Sequence, residues 1–390
     1  MRKTDYFDKI IEKEIDANNL SGANLTVFKD DHILYRRSYG MADIERGIPM
    51  SHDTIFRIFS MTKPITAVSA LILAERGIID LYDPVSWYIP SFAVSKSKIA
   101  NADGTLTPAS SEMRIKDLMN MASGLSYPDI TPAGQAVAKV FDEMIASRNT
   151  DHVIGTVEFA QKLGEVPLCF EPGTSWCYGT SADVLGAIIE IVSGMRLSAF
   201  FEKEIFAPLG MTDTGFYVPE EKRNRFAQLY RCDDKGIRPE PGENLAIEPL
   251  YDHLPAFESG GAGLVSTVDD YLKFARMLLG KGTYGGVRIL SPGSVEYLHT
   301  PGFDYESFKR IQSWDSLKGY NYGNLVRIME VPADNASAAA VGEYGWDGWT
   351  GTYFVINPRD NMILMYFVNR CDTGCNNVTR RIKNIAYSLE

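Results

Sequence analysis

Apolar side chains at Phe7, Ile10, Ile11 and Ile15 recur with the period of one helix face, which predicts a helix over residues 5–18. Two β-rich runs follow, 23–28 and 32–39, joined by a polar turn around Asp30 and Asp31. The far end repeats the pattern in reverse order. Runs 352–356 and 362–368 flank the turn residues Asn357, Pro358, Asp360 and Asn361, and a helix follows with Val378, Ile382, Ile385, Ala386 and Leu389 on one side. Each end thus contributes one helix and one antiparallel hairpin, so the two hairpins are expected to share a sheet.

The middle of the chain reads differently. From about Pro84 to Leu250 the periodicity is helical, with Gly, Pro and Ser punctuation and few strand runs. Thr180 stands as the cap of a helix through Val192 ending at Gly194, and Thr156 as the cap of another that stops at Gly164. Further on, Thr267 opens a helix with Asp269 and Asp270 in its first turn and Gly280 after its end, while Ser291 and Pro292 open the next. The expected fold is α/β: an antiparallel sheet flanked by terminal helices, with an inserted mostly helical domain. Its boundaries fall at residues 1–83 plus 251–390 for the α/β domain and 84–250 for the insertion.

Composition narrows the function. A formal net charge of -11 with no basic cluster leaves no electrostatic footprint for nucleic acid, and favours neutral over anionic substrates. No apolar run approaches a membrane span, and the charged N-terminal segment lacks the core of a secretory signal, so the expectation is a cytoplasmic chain that does not enter membranes. The five cysteines, Cys169, Cys177, Cys232, Cys371 and Cys375, are odd in number and scattered, which argues against a disulfide framework. Neither they nor the five histidines show metal-ligand spacing, so no metal or cofactor is expected.

Chemistry first appears at Ser60-Met61-Thr62-Lys63-Pro64, which leads into an apolar stretch closed by Gly77. Proline favours a helix's first turn, so Ser60 should sit at a helix N-terminus with Lys63 one turn later on the same face. A lysine there can take the serine proton, and helix amides favour the negative charge that develops during attack. Chance also produces SxxK matches, and a second one, Ser95 to Lys98, sits in a polar stretch with no helix to fix its geometry.

Two further elements converge on the same chemistry. Tyr178 follows the turn Glu171-Pro172-Gly173 and immediately precedes the helix capped at Thr180, where a nearby ammonium would lower its pKa and make it a base or relay. Near the C-terminus, the glycine-rich run from Gly345 to Thr352 reads as an edge strand. Its backbone can approach a ligand closely and offer an N–H to an oxyanion hole.

In this order the three elements resemble the serine β-lactamase and penicillin-binding-protein superfamily. The closer likeness is to class C β-lactamases and family VIII carboxylesterases, in which a tyrosine motif replaces SDN. Ser123-Gly124-Leu125 and the stretch from Ser259 to Phe274 extend the likeness over nearly the whole chain. The resemblance implies Ser60 as nucleophile, Lys63 as its activator, Tyr178 as the motif tyrosine, and the backbone N–H groups of Ser60 and Trp349 as the oxyanion hole.

This sequence departs from the family pattern twice. The tyrosine motif reads Tyr178-Gly179-Thr180 instead of YxN, whereas Tyr322-Gly323-Asn324 matches YxN in a strand-like run. Trp346-Asp347-Gly348 stands at the KTG position and resembles the WGG of the esterases. A tryptophan cannot pair with a substrate carboxylate, and Asp347 would repel one if it faced the pocket. Trp346, Asp347 and Gly348 are therefore the expected substrate-binding residues, with Trp346 and Trp349 offering apolar area to an acyl or alcohol group. The implied activity is hydrolysis of short-chain esters, with weak β-lactam hydrolysis at most. Acyl transfer, β-lactamase or D-alanyl peptidase activity, and a non-catalytic sensor are the alternatives. No GxSxG elbow is present, so α/β-hydrolase chemistry is excluded.

Overall fold

The computed structural model describes residues 2–240 and 243–389. Eight strands form one antiparallel sheet: β1 (Gly22–Lys29), β2 (His32–Asp43), β3 (Ile48–Pro49), β4 (Tyr320–Gly323), β5 (Val326–Met329), β6 (Tyr344–Asp347), β7 (Tyr353–Asn357) and β8 (Met362–Val368), in the order β4-β5-β6-β7-β8-β1-β2-β3. The two terminal hairpins meet where β1 pairs with β8, with Leu25 opposite Tyr366 and Val27 opposite Leu364. The helices used below are α1 (Asp5–Asp16), α2 (Thr62–Glu75), α3 (Pro132–Ser147), α4 (Thr156–Leu163), α5 (Ser181–Ser193), α6 (Val268–Leu279) and α7 (Asn377–Tyr387).

Strand β8 is apolar at every position because both faces of the sheet are covered. Met362, Leu364, Tyr366 and Val368 pack with Phe7 and Ile11 of α1 and Ile382 and Ala386 of α7. Ile363, Met365 and Phe367 turn the other way, into the large core that holds α2, α5 and α6. That core runs without interruption from the sheet into the middle of the chain, joining Phe354 and Tyr271 to Leu185, Phe159 and Phe141. Each fully buried side chain of this size contributes roughly 1.5–3 kcal/mol. Truncating Phe354 to alanine would therefore cost about 3–5 kcal/mol.

The terminal elements lie where the periodicity puts them. Thr267 and Ser291 cap their helices by accepting from Asp270 N and Ser294 N. Thr156 differs: it is the first residue of α4, Gly155 holds the cap position, and the threonine hydroxyl instead accepts from Glu258 N. The hydrogen-bonding demand of the buried loop at Glu258 outweighs local capping there. The middle of the chain also carries two short hairpins, Lys98–Ala100 with Leu106–Pro108 and Tyr230–Asp233 with Gly236–Pro239.

Strand β6 is an interior strand, not the edge expected from its glycines. Its pairing with β5 covers only Tyr344 and Gly345, however, so Trp346 and Asp347 are unpaired on the β5 side while still pairing with β7. The strand thus acts as an edge in its second half, which is the half nearest Ser60. Among the described residues no single helix is long and apolar enough to cross a membrane.

Candidate active site

Helix α2 lies in the middle of the core, with every residue from Thr62 to Leu73 buried. The chain enters it through a tight turn at Phe59–Met61. Phe59 adopts a left-handed backbone with φ of 40°, a conformation that disfavours an aromatic residue. Its ring is buried edge-on to Trp349, with centroids 5.1 Å apart. Packing pays for the strain, and the turn leaves Ser60 partly exposed at the head of the helix.

Lys63 is fully buried one turn later. Its Nζ lies 3.0 Å from Ser60 Oγ, 3.1 Å from Tyr127 Oη and 2.9 Å from the carbonyl oxygen of Gly261. Burial drives its pKa down to about 7, against the opposing fields of Asp183 and Asp347. A substantial fraction of Lys63 is therefore neutral near neutral pH and can accept the Ser60 proton.

Tyr178 packs its ring against the same ammonium, 4.5 Å from Nζ to the centroid, and its hydroxyl accepts from Trp346 Nε1 at 3.0 Å. The expectation that its pKa falls does not hold in these surroundings. Burial raises it, outweighing the opposing hydrogen bonds from Ser60 and Trp346. Tyr178 stays protonated at neutral pH and is suited to donate a proton, whereas Lys63, with its lowered pKa, is the group suited to accept one. Gly179 follows because a Cβ there would come within 2.2 Å of Leu125 O. Close packing of the start of α5 against Leu125 and Ser126 thus accounts for the glycine, while the motif's amide position holds Thr180, buried with its hydroxyl donated to Ser126 O.

The run after β6 reaches Ser60 through backbone contact. Thr350 and Thr352 donate their hydroxyls to the carbonyl oxygens of Arg57 and Ile58, and a Cβ on Gly348 would fall 2.4 Å from Ile58 O. Only glycine permits that approach. Among the described residues, the N–H groups of Ser60 and Trp349 donate to no protein acceptor, as an oxyanion hole requires.

The substrate-binding triplet is arranged differently from the expectation. Trp346 is 2% exposed and lies beneath Tyr178, so it offers almost no surface to a ligand. Asp347 turns away to pair with the buried Arg327 and accepts from Cys375 N at 3.1 Å. Gly348 supplies the close approach described above. Trp349 is partly exposed, with its indole N–H donated to Asp372 at 2.6 Å. The exposed aromatic surface comes instead from Trp314, 38% exposed and 4.9 Å from the Tyr178 ring.

Three residues of the site escaped the sequence reading. Tyr127 lies two positions beyond Ser123-Gly124-Leu125, and that spacing could have singled it out. Asp183 is an acid in the first turn of a helix whose other charged residue, Glu190, lies two turns away, and its place among Val184, Leu185 and Ile188 is itself a signal. Trp314 lies in an irregular segment with no periodicity to mark it. The competing motifs fall elsewhere. Ser95 and Lys98 are both exposed, and Tyr322 is wholly buried behind Trp346 with a hydroxyl that has no hydrogen-bond partner. A cavity of about 370 Å³ between Ile55, Phe206, Phe216 and Val265 includes none of the four polar groups around Lys63 in its lining.

The Ser60 hydroxyl, an amine of depressed pKa, a protonated tyrosine and two free N–H groups converge at one place, an arrangement suited to serine acyl transfer. The Beta-lactamase family model matches residues 7–384, and the chain belongs to that family of serine hydrolases, in the β-lactamase and penicillin-binding-protein-like superfamily. It is 33% identical over 371 residues to an uncharacterized protein of Mycobacterium tuberculosis, covering 93% of this chain and 88% of that one. It is 29% identical over 384 residues to esterase EstB of Burkholderia gladioli, covering 94% and 90%. Among solved structures, that of EstCE1, a hydrolase with promiscuous acyltransferase activity, shares the fold with a TM-score of 0.80 at 24% identity, covering 99% of this chain and 97% of that one.

Proposed function

We propose that the protein is a carboxylesterase that cleaves small neutral esters through an acyl-Ser60 intermediate. The observation that carries this reading is the pairing of Arg327 with Asp347 beside Trp346. Trp346 stands where the KTG motif carries its lysine, and the Arg327 guanidinium beside it is already paired with Asp347, so neither offers a free cation to a substrate carboxylate. The likeness to esterase EstB supports the same reading.

In the proposed reaction, neutral Lys63 removes the Ser60 proton as Oγ attacks the ester carbonyl. The Ser60 and Trp349 N–H groups hold the oxyanion. Collapse expels the alcohol, which takes its proton from the Tyr178 hydroxyl while Lys63 reprotonates the phenol oxygen. Water then enters by the reverse route, passing its proton through Tyr178 to Lys63 as it attacks the acyl group, and Lys63 returns that proton to Ser60 Oγ as the carboxylic acid leaves. An alcohol in place of water would make the same intermediate an acyl donor, in keeping with the promiscuous acyltransferase activity of EstCE1.

The test is a panel of neutral esters run beside nitrocefin and a peptide ending in D-alanyl-D-alanine, with a fluorophosphonate to label Ser60. Ester turnover exceeding that of nitrocefin by at least about a hundredfold is expected, on the scale of a missing ion pair in a partly desolvated site. Equal efficiency on the β-lactam would overturn the esterase reading, and an unlabelled Ser60 would overturn the mechanism.

A further inference from the structure

The loop from Ser259 to Leu264 gives Lys63 one of its three hydrogen-bond partners, and it is held from below at several points. Thr66 Oγ1 donates to Gly260 O at 2.6 Å, and Leu264 N donates to Thr62 Oγ1 at 3.1 Å. From the other side stands Asp183, 3% exposed in the first turn of α5. Its Oδ1 alone accepts both the Ser259 hydroxyl at 2.5 Å and the Gly261 N–H at 3.0 Å. The carbonyl of the same Gly261 accepts from Lys63 Nζ. A buried carboxylate therefore reaches the catalytic amine through a single glycine residue.

We propose that Asp183 is a positioning residue for Lys63, fixing the Gly261 carbonyl that orients the amine and setting its charge through the field of the carboxylate. This rests on the reading of Lys63 as the base for Ser60. The start of α5 favours the ionised acid, because helix N-terminal amides stabilise negative charge and two hydrogen bonds fall on one oxygen. Burial is the larger influence on Asp183 and raises its pKa, with the hydrogen bonds from Ser259 and Gly261 and the charge of Lys63 opposing it. The groups facing Lys63 are Ser60 from its own helix, Tyr127 and Gly261 from the flanking loops, Tyr178 above, and the carboxylates of Asp183 and Asp347. Of the two acids, Asp347 is engaged by Arg327, whereas the ordered partners of Asp183 are neutral.

The geometry separates charge from shape. Since Oδ1 accepts both bonds, Asp183→Asn can keep them through its amide oxygen while removing the negative charge. Loss of that charge destabilises the Lys63 ammonium, so the neutral amine persists to lower pH.

The experiment follows the second-order rate of Ser60 labelling by a fluorophosphonate from pH 5 to 9 in the full-length wild type and in Asp183→Asn, Asp183→Glu and Asp183→Ala. It needs no knowledge of the natural ester. Asp183→Asn should move the acid-side midpoint down by about one pH unit, the usual effect of one nearby charge. Asp183→Glu should keep a midpoint close to that of the wild type even if its plateau rate falls, and it still reads the charge if the asparagine variant does not fold. Asp183→Ala, which releases Gly261, should lower the plateau at least about tenfold, the effect of one lost hydrogen bond to a charged group. An unmoved midpoint in a folded Asp183→Asn, or a glutamate variant shifted downward like asparagine, would overturn the proposal. A wild type that is not labelled at Ser60 would instead sink the catalytic reading on which it rests.

Discussion

Trp346 donates its indole N–H to the hydroxyl of Tyr178 at 3.0 Å, with the two rings stacked at a tilt 5.5 Å apart. The tryptophan therefore acts on the reaction through the tyrosine. It fixes which way the phenol points and leaves the phenol proton free for the substrate. Replacing Trp346 by phenylalanine keeps most of the packing and removes that donor. The expected result is a fall in kcat of about tenfold with KM little changed, the worth of one hydrogen bond. Tyr178→Phe should cost at least about a hundredfold in kcat, the scale of positioned proton transfer. Steady-state kinetics on a neutral ester separates the two, and a Trp346→Phe variant that changed only KM would return the indole to the substrate pocket.

The pH profile follows from Lys63. Its pKa is lowered by burial to about 7, and the amine must be neutral to accept the Ser60 proton. As pH falls through that value the ammonium predominates, so kcat/KM should fall on the acid side with a midpoint near pH 7. Tyr178 acts protonated and burial raises its pKa, so its alkaline limb should lie above the ordinary phenol range of about 10. A profile that stays flat from pH 5 to 8 would remove Lys63 as the base.

Ser60→Ala should abolish both ester hydrolysis and phosphonate labelling, whereas Ser95→Ala should leave both near wild type. Ser95 is exposed, with no buried amine one turn away. Mass spectrometry of the labelled peptide checks the assignment directly. Label found on any other serine would show that the nucleophile lies outside the Ser60–Lys63 motif.

Trp314 forms the exposed side of the aromatic cluster around Tyr178, in edge contact with both Tyr178 and Trp176. Trp314→Ala should raise KM for esters with bulky apolar groups by about tenfold or more, because an aromatic face buries a large contact area. Acetate esters of small alcohols should be less affected. A uniform change in kcat across the series would mean that Trp314 supports Tyr178 and does not contact substrate.

Lys383 and Glu343 form an ion pair buried between α7 and the sheet, 2.9 Å apart, with the Tyr320 hydroxyl 2.7 Å from the ammonium. Removing one partner strands a charge in the core. Lys383→Met should therefore destabilise the fold by about 3–5 kcal/mol, measured by denaturant unfolding. Adding Glu343→Gln should recover part of the loss, since the remaining group is then neutral. Full stability of the single variant would show that water reaches Glu343.

Period and motif made the outer framework legible. The 3.6 and 2.0 repeats located α1, α7 and both terminal hairpins, and the apolar run closed by Gly77 located α2. Strands β4, β5 and β6 were harder because each has only four residues, too few to establish alternation. Ser60 and Lys63 could be read because one helical turn relates them in sequence as in space. Tyr127, Asp183 and the Arg327–Asp347 pair could not be assembled in that way, since each reaches its partner across the fold. The misreading of Trp346 has the same origin. Sequence placed it beside the pocket, but only the packing of Tyr178, Tyr322 and Arg327 around it puts it underneath.

The seam between β1 and β8 also has a consequence for how the enzyme comes into being. Residues Ala23–Lys29 leave the ribosome more than three hundred residues before their partners Met362–Val368. Until then the nascent β1–β2 hairpin carries an open strand edge with apolar Leu25 and Val27, an invitation to mispairing that a chaperone would have to cover. Ser60 and Lys63 are synthesised in the same early stretch, but Trp349 arrives almost three hundred residues later. Ser60 therefore waits for Trp349 until the C-terminal hairpin is made, and on the proposed mechanism the site is complete only as the sheet closes.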